Sequence, residues 1–166
     1  MWKKKKESNL NNAVDVHTEL VARHLDKNGR EIQRRVIKNK VVTNAFVYDI
    51  VDVLKGTSGK FDLYKWHDSG ISTAAETAAQ TGLLSRVATA HTVGTQVETA
   101  SSNAYQSVAT KTYTSTKSIT EHGLFNASAT GVAGRKMMDR TLFAAINVAN
   151  GDSIEFTFTI TFSSGG

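Results

Sequence analysis

The chain has 166 residues, no cysteine, no proline and a formal net charge of +5. At that length one domain buries roughly 70% of the surface its unfolded chain exposes, so neither a disulfide nor a structural metal is needed to hold it. Without thiols the fold owes nothing to an oxidising compartment, and no run is apolar enough for a secretory signal or a membrane span, so a soluble cytoplasmic product is expected.

The basic excess sits at the start. Residues 1–40 hold eleven Lys and Arg against five Asp and Glu, whereas residues 41–166 hold nine against ten. Residues 1–12, "MWKKKKESNLNN", read as a basic tail that either solubilises the chain or meets an acidic partner. Residues 13–41 then read as a β-hairpin arm. Val14, Val16, Leu20 and Ala22 alternate with polar residues, and "DKNG" supplies the turn. The return strand, with Ile32, Arg34 and Val36 on one face, mixes charge and apolar groups on both faces. That is the pattern of an edge or a projecting arm rather than of a central strand.

Residues 42–166 are expected to form the body. "TNAFVYDIVDVLKG", 43–56, predicts its single helix, near 43–55. Thr43 or Asn44 caps it, Gly56 stops it, and Phe46, Val47, Ile50, Val51 and Leu54 form the stripe that packs on a sheet. Asp49 and Asp52 lie mostly off that stripe. "FDLYKWHD", 61–68, reads as a strand. The small residues of 69–84 make either a short helical turn, with Thr73 and Glu76 as its capping box, or a long loop. Strands follow at about 91–99, 103–114, 117–127, 136–148 and 153–162. Asn150-Gly151 reads as a hairpin turn between the last two, and Gly123 as the site of a bulge. In the last strand, Ile154, Phe156, Phe158, Ile160 and Phe162 make one face and Glu155, Thr157, Thr159 and Thr161 the other. The expected fold is therefore mainly β: a β-sandwich or jelly-roll-like body with one short helix.

Signs of catalytic or ligand chemistry in the sequence are few. "GTSGK", 56–60, resembles the end of a phosphate-binding loop, but Leu54 and Phe61 stand where that motif needs Gly and Ser or Thr. None of His17, His24, His67, His91 and His122 has the i, i+4 spacing of a zinc enzyme. "WHDSG" and "TEHG" put a carboxylate beside a histidine, yet neighbours on a strand point to opposite faces. No enzyme, metal or cofactor is expected.

The blocks "ITEHGLFNAS" and "DRTLFAAINVANGDSIEFTFTITF", with "VVTNAFVYDIVDVL" and "KWHDSGISTAAETAAQTGLLSRV", resemble a family of small virion proteins of tailed bacteriophages. The resemblance covers residues 41–166. It implies a structural particle component assembled in the bacterial cytoplasm, foremost a decoration (cement) protein on the capsid shell. Tail, collar or fibre-base proteins, and a nucleic-acid-binding accessory protein, are the alternatives. The implied partners are the major capsid protein or other virion proteins, together with further copies in a dimer or trimer. On this reading Lys3, Lys4, Lys5, Lys6, Arg34, Arg35, Lys38 and Lys40 are the attachment residues, with non-specific nucleic-acid contact through the same arm. Thr157, Thr159 and Thr161 form the self-assembly face, because threonine hydroxyls can pair with a neighbour without the aggregation risk of an apolar face.

Overall fold

The alternation at the chain's end does what its period requires. In the computed structural model, which describes residues 14–57, 61–88, 90–99 and 103–164, Ile154, Phe156, Phe158 and Ile160 are at most 1% exposed. They belong to a strand, β10, spanning Ser153–Ser164. Upstream lie β1 (Val14–Leu25), β2 (Glu31–Lys38), β3 (Val41–Val42), helix α1 (Asn44–Lys55), a 3-10 turn (Phe61–Leu63) and β4 (Trp66–Gly70). Then come β5 (Thr92–Val93), β6 (Thr95–Glu98), β7 (Ala104–Thr112), β8 (Lys117–Phe125) and β9 (Met137–Val148). The strands form two antiparallel sheets of five. The front sheet has the order β2-β1-β10-β7-β6 and the back sheet β3-β9-β8-β4-β5. This is the expected mainly-β sandwich with one helix and an N-terminal hairpin.

The hairpin is not an appendage. Its turn forms as read, with Gly29 at φ +80° and the Asp26 N–H donating to the Arg30 carbonyl at 2.9 Å. However, β1 pairs on its other side with β10 along its whole length, from Val14 opposite Ser164 to Leu25 opposite Ser153. That places Leu20 and Ala22 in the core beside Phe156 and Phe158. Only β2 is an edge. The reading of 13–41 as a projecting arm missed this because mixed faces mark an edge strand, and here the edge strand's partner is interior.

Two tight turns carry the chain between sheets. Gly151 does adopt positive φ, +90°, but β9 and β10 lie in different sheets, so Asn150-Gly151 is a crossing rather than a hairpin. Asp152 fastens it: one carboxylate oxygen accepts from the Ala149 N–H at 2.8 Å and meets His24 Nε2 of β1 at 2.9 Å. The stretch expected as one strand at 91–99 likewise splits at Gly94, with β5 in the back sheet and β6 in the front. A Cβ at Gly94 would lie 2.6 Å from Ser107 Oγ and 2.8 Å from His67 Nε2, so no larger residue fits this corner. Gly123 sits in regular register opposite Asp68 and Arg140, and the irregularities of β8 fall at Ile119/Glu121 and Leu124/Phe125 instead. What Gly123 provides is room, since a Cβ there would reach within 2.9 Å of Leu83 Cδ2.

Helix α1 has the expected caps. Thr43 Oγ1 accepts from the Phe46 N–H, and Gly56 closes the helix in the left-handed conformation. Its buried face differs from the stripe. Phe46 and Asp49 are buried, whereas Val47, Val51 and Leu54 are exposed. Asp49 turns inward because Tyr64 Oη donates to it at 2.7 Å and Lys136 pairs with it, so its charge is compensated. Residues 61–65 are not strand, since Phe61–Leu63 form the 3-10 turn. Thr73 and Glu76 sit in a loop, where the Glu76 carboxylate accepts from the Leu142 N–H and lies 3.5 Å from Lys40 Nζ.

Core packing gives a direct check on the strand assignment. Phe158→Ala is expected to cost roughly 3–5 kcal/mol in chemical denaturation, the transfer and cavity cost of a fully buried ring. A loss below 1 kcal/mol would contradict the packing.

Candidate functional site

Directly opposite residues in an antiparallel ladder share a face, so the register draws the outer face of the front sheet. One row crosses all five strands as Val36, Val21, Thr157, Val108 and Thr95. The next reads Lys38, Glu19, Thr159, Gln106 and Val97. Val36 is 53% and Val97 40% exposed. The threonine hydroxyls expected to face outward do so: Thr157, Thr159 and Thr161 are half-buried among side chains of the neighbouring strands. Gln106 Nε2 donates to Thr159 Oγ1 at 3.0 Å. Thr159 and Thr161 also line an open hollow of about 390 Å³ with His17, Glu19, Lys38 and Asn39. Of the valines in this face, Val36 is marked in the sequence only as part of the mixed face of the return strand. The pairing of β2, β1, β10 and β7 brings Val36, Val21 and Val108 into one row.

The basic residues are distributed differently from the expectation. Lys3, Lys4, Lys5 and Lys6 lie outside the described residues. Arg34 is on the outer face, 3.1 Å from Glu31. Lys38 is 3.1 Å from Glu19. Arg23, not foreseen, bridges Glu31 at 2.7 Å and Glu155 at 2.6 Å. Arg35 points to the other face of β2, half-buried, and donates to the Arg34 carbonyl at 3.3 Å. Lys40 is half-buried beside Glu76. The charges near the threonine face therefore largely answer one another, and exposed pairs of this kind add only about 0–1 kcal/mol each.

Chemically capable side chains gather between and behind the sheets. His67 and Ser69 of β4 alternate inward with His122 of β8. His67 Nδ1 meets His122 Nε2 at 2.9 Å, and His67 Nε2 meets Ser107 Oγ at 2.9 Å. As the alternation requires, the adjacent carboxylates point the other way. Asp68 binds Lys111 at 3.0 Å and also Arg86, and Glu121 binds Arg140 at 2.8 Å. The connection 71–91 lies over this back face. The Ser85 N–H donates to Glu121 at 2.9 Å, and Arg140 Nη1 donates to the Ala74 carbonyl at 3.0 Å. His67, His122 and Ser107 are at most 1% exposed, so this hydrogen-bonded chain has no open approach for a substrate. It organises the interior. Among the described residues no group of three or more His, Cys, Asp and Glu is placed to hold a metal ion, and no helix is long and apolar enough to cross a membrane.

Burial sets the protonation of this interior. It holds the His67 imidazole down at about 3 and His122 well below its ordinary value, helped by the neighbouring His67 and Lys111. Both are neutral near pH 7. Below about pH 6.5 the unfolded chain binds protons that the folded one refuses, so each histidine removes about 1.4 kcal/mol of stability per pH unit of acidification. Asp139 acts oppositely. Burial raises its carboxyl to about 7, so between that value and its ordinary one the folded chain holds the extra proton and gains stability as pH falls. Two histidines against one carboxyl leave a net loss. The melting temperature is expected to fall steadily from pH 6.5 to pH 4, and more gently in His67→Gln/His122→Gln. A melting temperature that is flat or rising toward acid would refute the buried-neutral assignment.

No family model, no curated protein and no solved structure matches the chain.

Proposed function

We propose that the protein is a structural component of a tailed-phage virion, a decoration (cement) protein of the head shell that docks through the outer face of its front sheet. The resemblance of the blocks within residues 41–166 motivates the virion setting. The observation that carries the docking surface is the row Val36, Val21, Thr157, Val108 and Thr95, an uncharged band across five strands beside charges already paired with one another. A band of this composition suits contact with another protein, a capsid subunit or a further copy, better than contact with phosphate, which calls for unpaired cations. Attachment moves accordingly from a separable arm to the sheet face, with Arg34 and Lys38 at its margin.

The test is Thr157→Lys. It sets an ammonium group in the middle of the band, where a neighbour would have to desolvate it. Binding to undecorated heads, or self-assembly, is expected to fall at least tenfold with the melting temperature unchanged, a cost of about 1.4 kcal/mol or more. Unchanged binding would mean that this face is simply solvated. Binding to tails but not heads would favour the tail or collar reading.

A further inference from the structure

The front sheet ends at β2, and among the described residues β2 pairs only with β1. Every second residue of such a strand turns its N–H and C=O away from its one neighbour. Over the eight residues of β2 that leaves about 26 Å of open ladder. None of the residues 31–38 is buried, and Arg34, Val36 and Lys38, opposite Arg23, Val21 and Glu19, stand exposed on the outer face.

The charge of this edge is one-sided. Residues 27–40 hold six Lys and Arg against a single Glu. Ion pairs do not cancel this at the rim, because in each the cation is the more exposed member. The Arg30 side chain is 82% exposed against 16% for Asp26, Arg34 53% against 32% for Glu31, and Lys38 66% against 38% for Glu19. The carboxylates are tucked in and the cations reach out. Exposed pairs of this kind are weak, so a carboxylate arriving along the edge can share the same cations. A second copy of β2 would instead set like charges side by side, which is how edges are kept from pairing with themselves.

We infer that the free edge of β2 takes an extended acidic segment of a partner protein as a sixth strand of the front sheet. Main-chain bonds to β2 hold the segment, and directly opposite side chains share a face, so the outer face of β2 specifies its sequence. Carboxylates fall opposite Arg34 and Lys38 and an apolar residue opposite Val36. The pattern is acidic, any, apolar, any, acidic. Its apolar residue extends the row of Val36, Val21 and Thr157 by one strand. This goes beyond docking through the outer face, since it uses the open ladder at the sheet's margin rather than the band.

The experiment is fluorescence anisotropy of a labelled, end-capped peptide TETVTET, whose pattern reads the same in both directions, titrated with the full chain. It is expected to bind about tenfold or more tightly than TKTVTKT. Of two versions N-methylated at odd or at even positions, the one that blocks the N–H groups facing β2 should lose about as much. Arg34→Glu/Lys38→Glu, at exposed positions, should reverse the preference between the two peptides. Should that variant fail to fold, Lys38→Glu alone should abolish it. Thr157→Lys, two strands away, should leave it unchanged, so failure of this edge and failure of the docking face are told apart. No binding of TETVTET, equal binding of TKTVTKT, or full binding by both N-methylated versions would overturn the inference. So would equal binding of an oligothymidylate of the same charge, which would make the edge a site for negative charge alone.

Discussion

A chain lacking residues 1–40 is expected to show no cooperative unfolding transition. Deleting β1 removes the strand between β2 and β10 and exposes the β10 ladder over twelve residues. It also strips Leu20 and Ala22, at 1% and 0% exposure, from the faces of Phe156 and Phe158. Truncating one buried leucine to alanine costs about 2–5 kcal/mol, and a domain's whole net stability is about 5–15 kcal/mol. Losing a central strand with its hydrogen bonds exceeds that margin, and the bared β10 becomes an aggregation-prone edge. Circular dichroism and thermal melting decide the matter. A truncated chain that melts cooperatively with strand content intact would show that the hairpin is an accessory after all.

Arg140→Met is the single substitution expected to do most harm outside the apolar core. Arg140 and Glu121 side chains are both 0% exposed, 2.8 Å apart. Removing the guanidinium leaves Glu121 with only main-chain donors, chiefly Ser85 at 2.9 Å and Ser72 at 3.3 Å. An uncompensated buried charge of this kind costs about 3–5 kcal/mol, whereas replacing both partners by apolar groups is often near neutral. Glu121→Leu/Arg140→Met should therefore recover much of what Arg140→Met loses. The connection 71–91 should also become protease-sensitive in the single variant, because Arg140 donates to the Ala74 and Ala75 carbonyls. A cost below 1 kcal/mol would mean that water reaches this pair.

What the sequence makes legible here is local. The alternation of β10 and the caps of α1 at Thr43 and Gly56 are written in neighbouring residues, and both appear where expected. The side of α1 that faces inward is not, because burying Asp49 depends on Tyr64 and Lys136, which are 15 and 87 residues away. Asn150-Gly151 specifies a tight turn without specifying whether the next strand pairs or crosses to the other sheet. The opposed faces of His67–Asp68 and Glu121–His122 follow from strand period alone. The pairing of His67 with His122 does not, because it depends on β4 and β8 lying side by side, which no local pattern specifies. The candidate face was half legible in the same way. Its threonines lie on one strand, whereas its valine row is assembled from β1, β2 and β7.

The most direct test of the virion account is a cryo-electron microscopy map of the assembled phage particle in which this chain is located. The account predicts density for the sandwich on the head shell, with the outer face of the front sheet, around Val21, Thr157 and Val108, turned onto a capsid subunit or a neighbouring copy. A sandwich bound by its other sheet with that band facing solvent, or particles that lack the chain altogether, would contradict it.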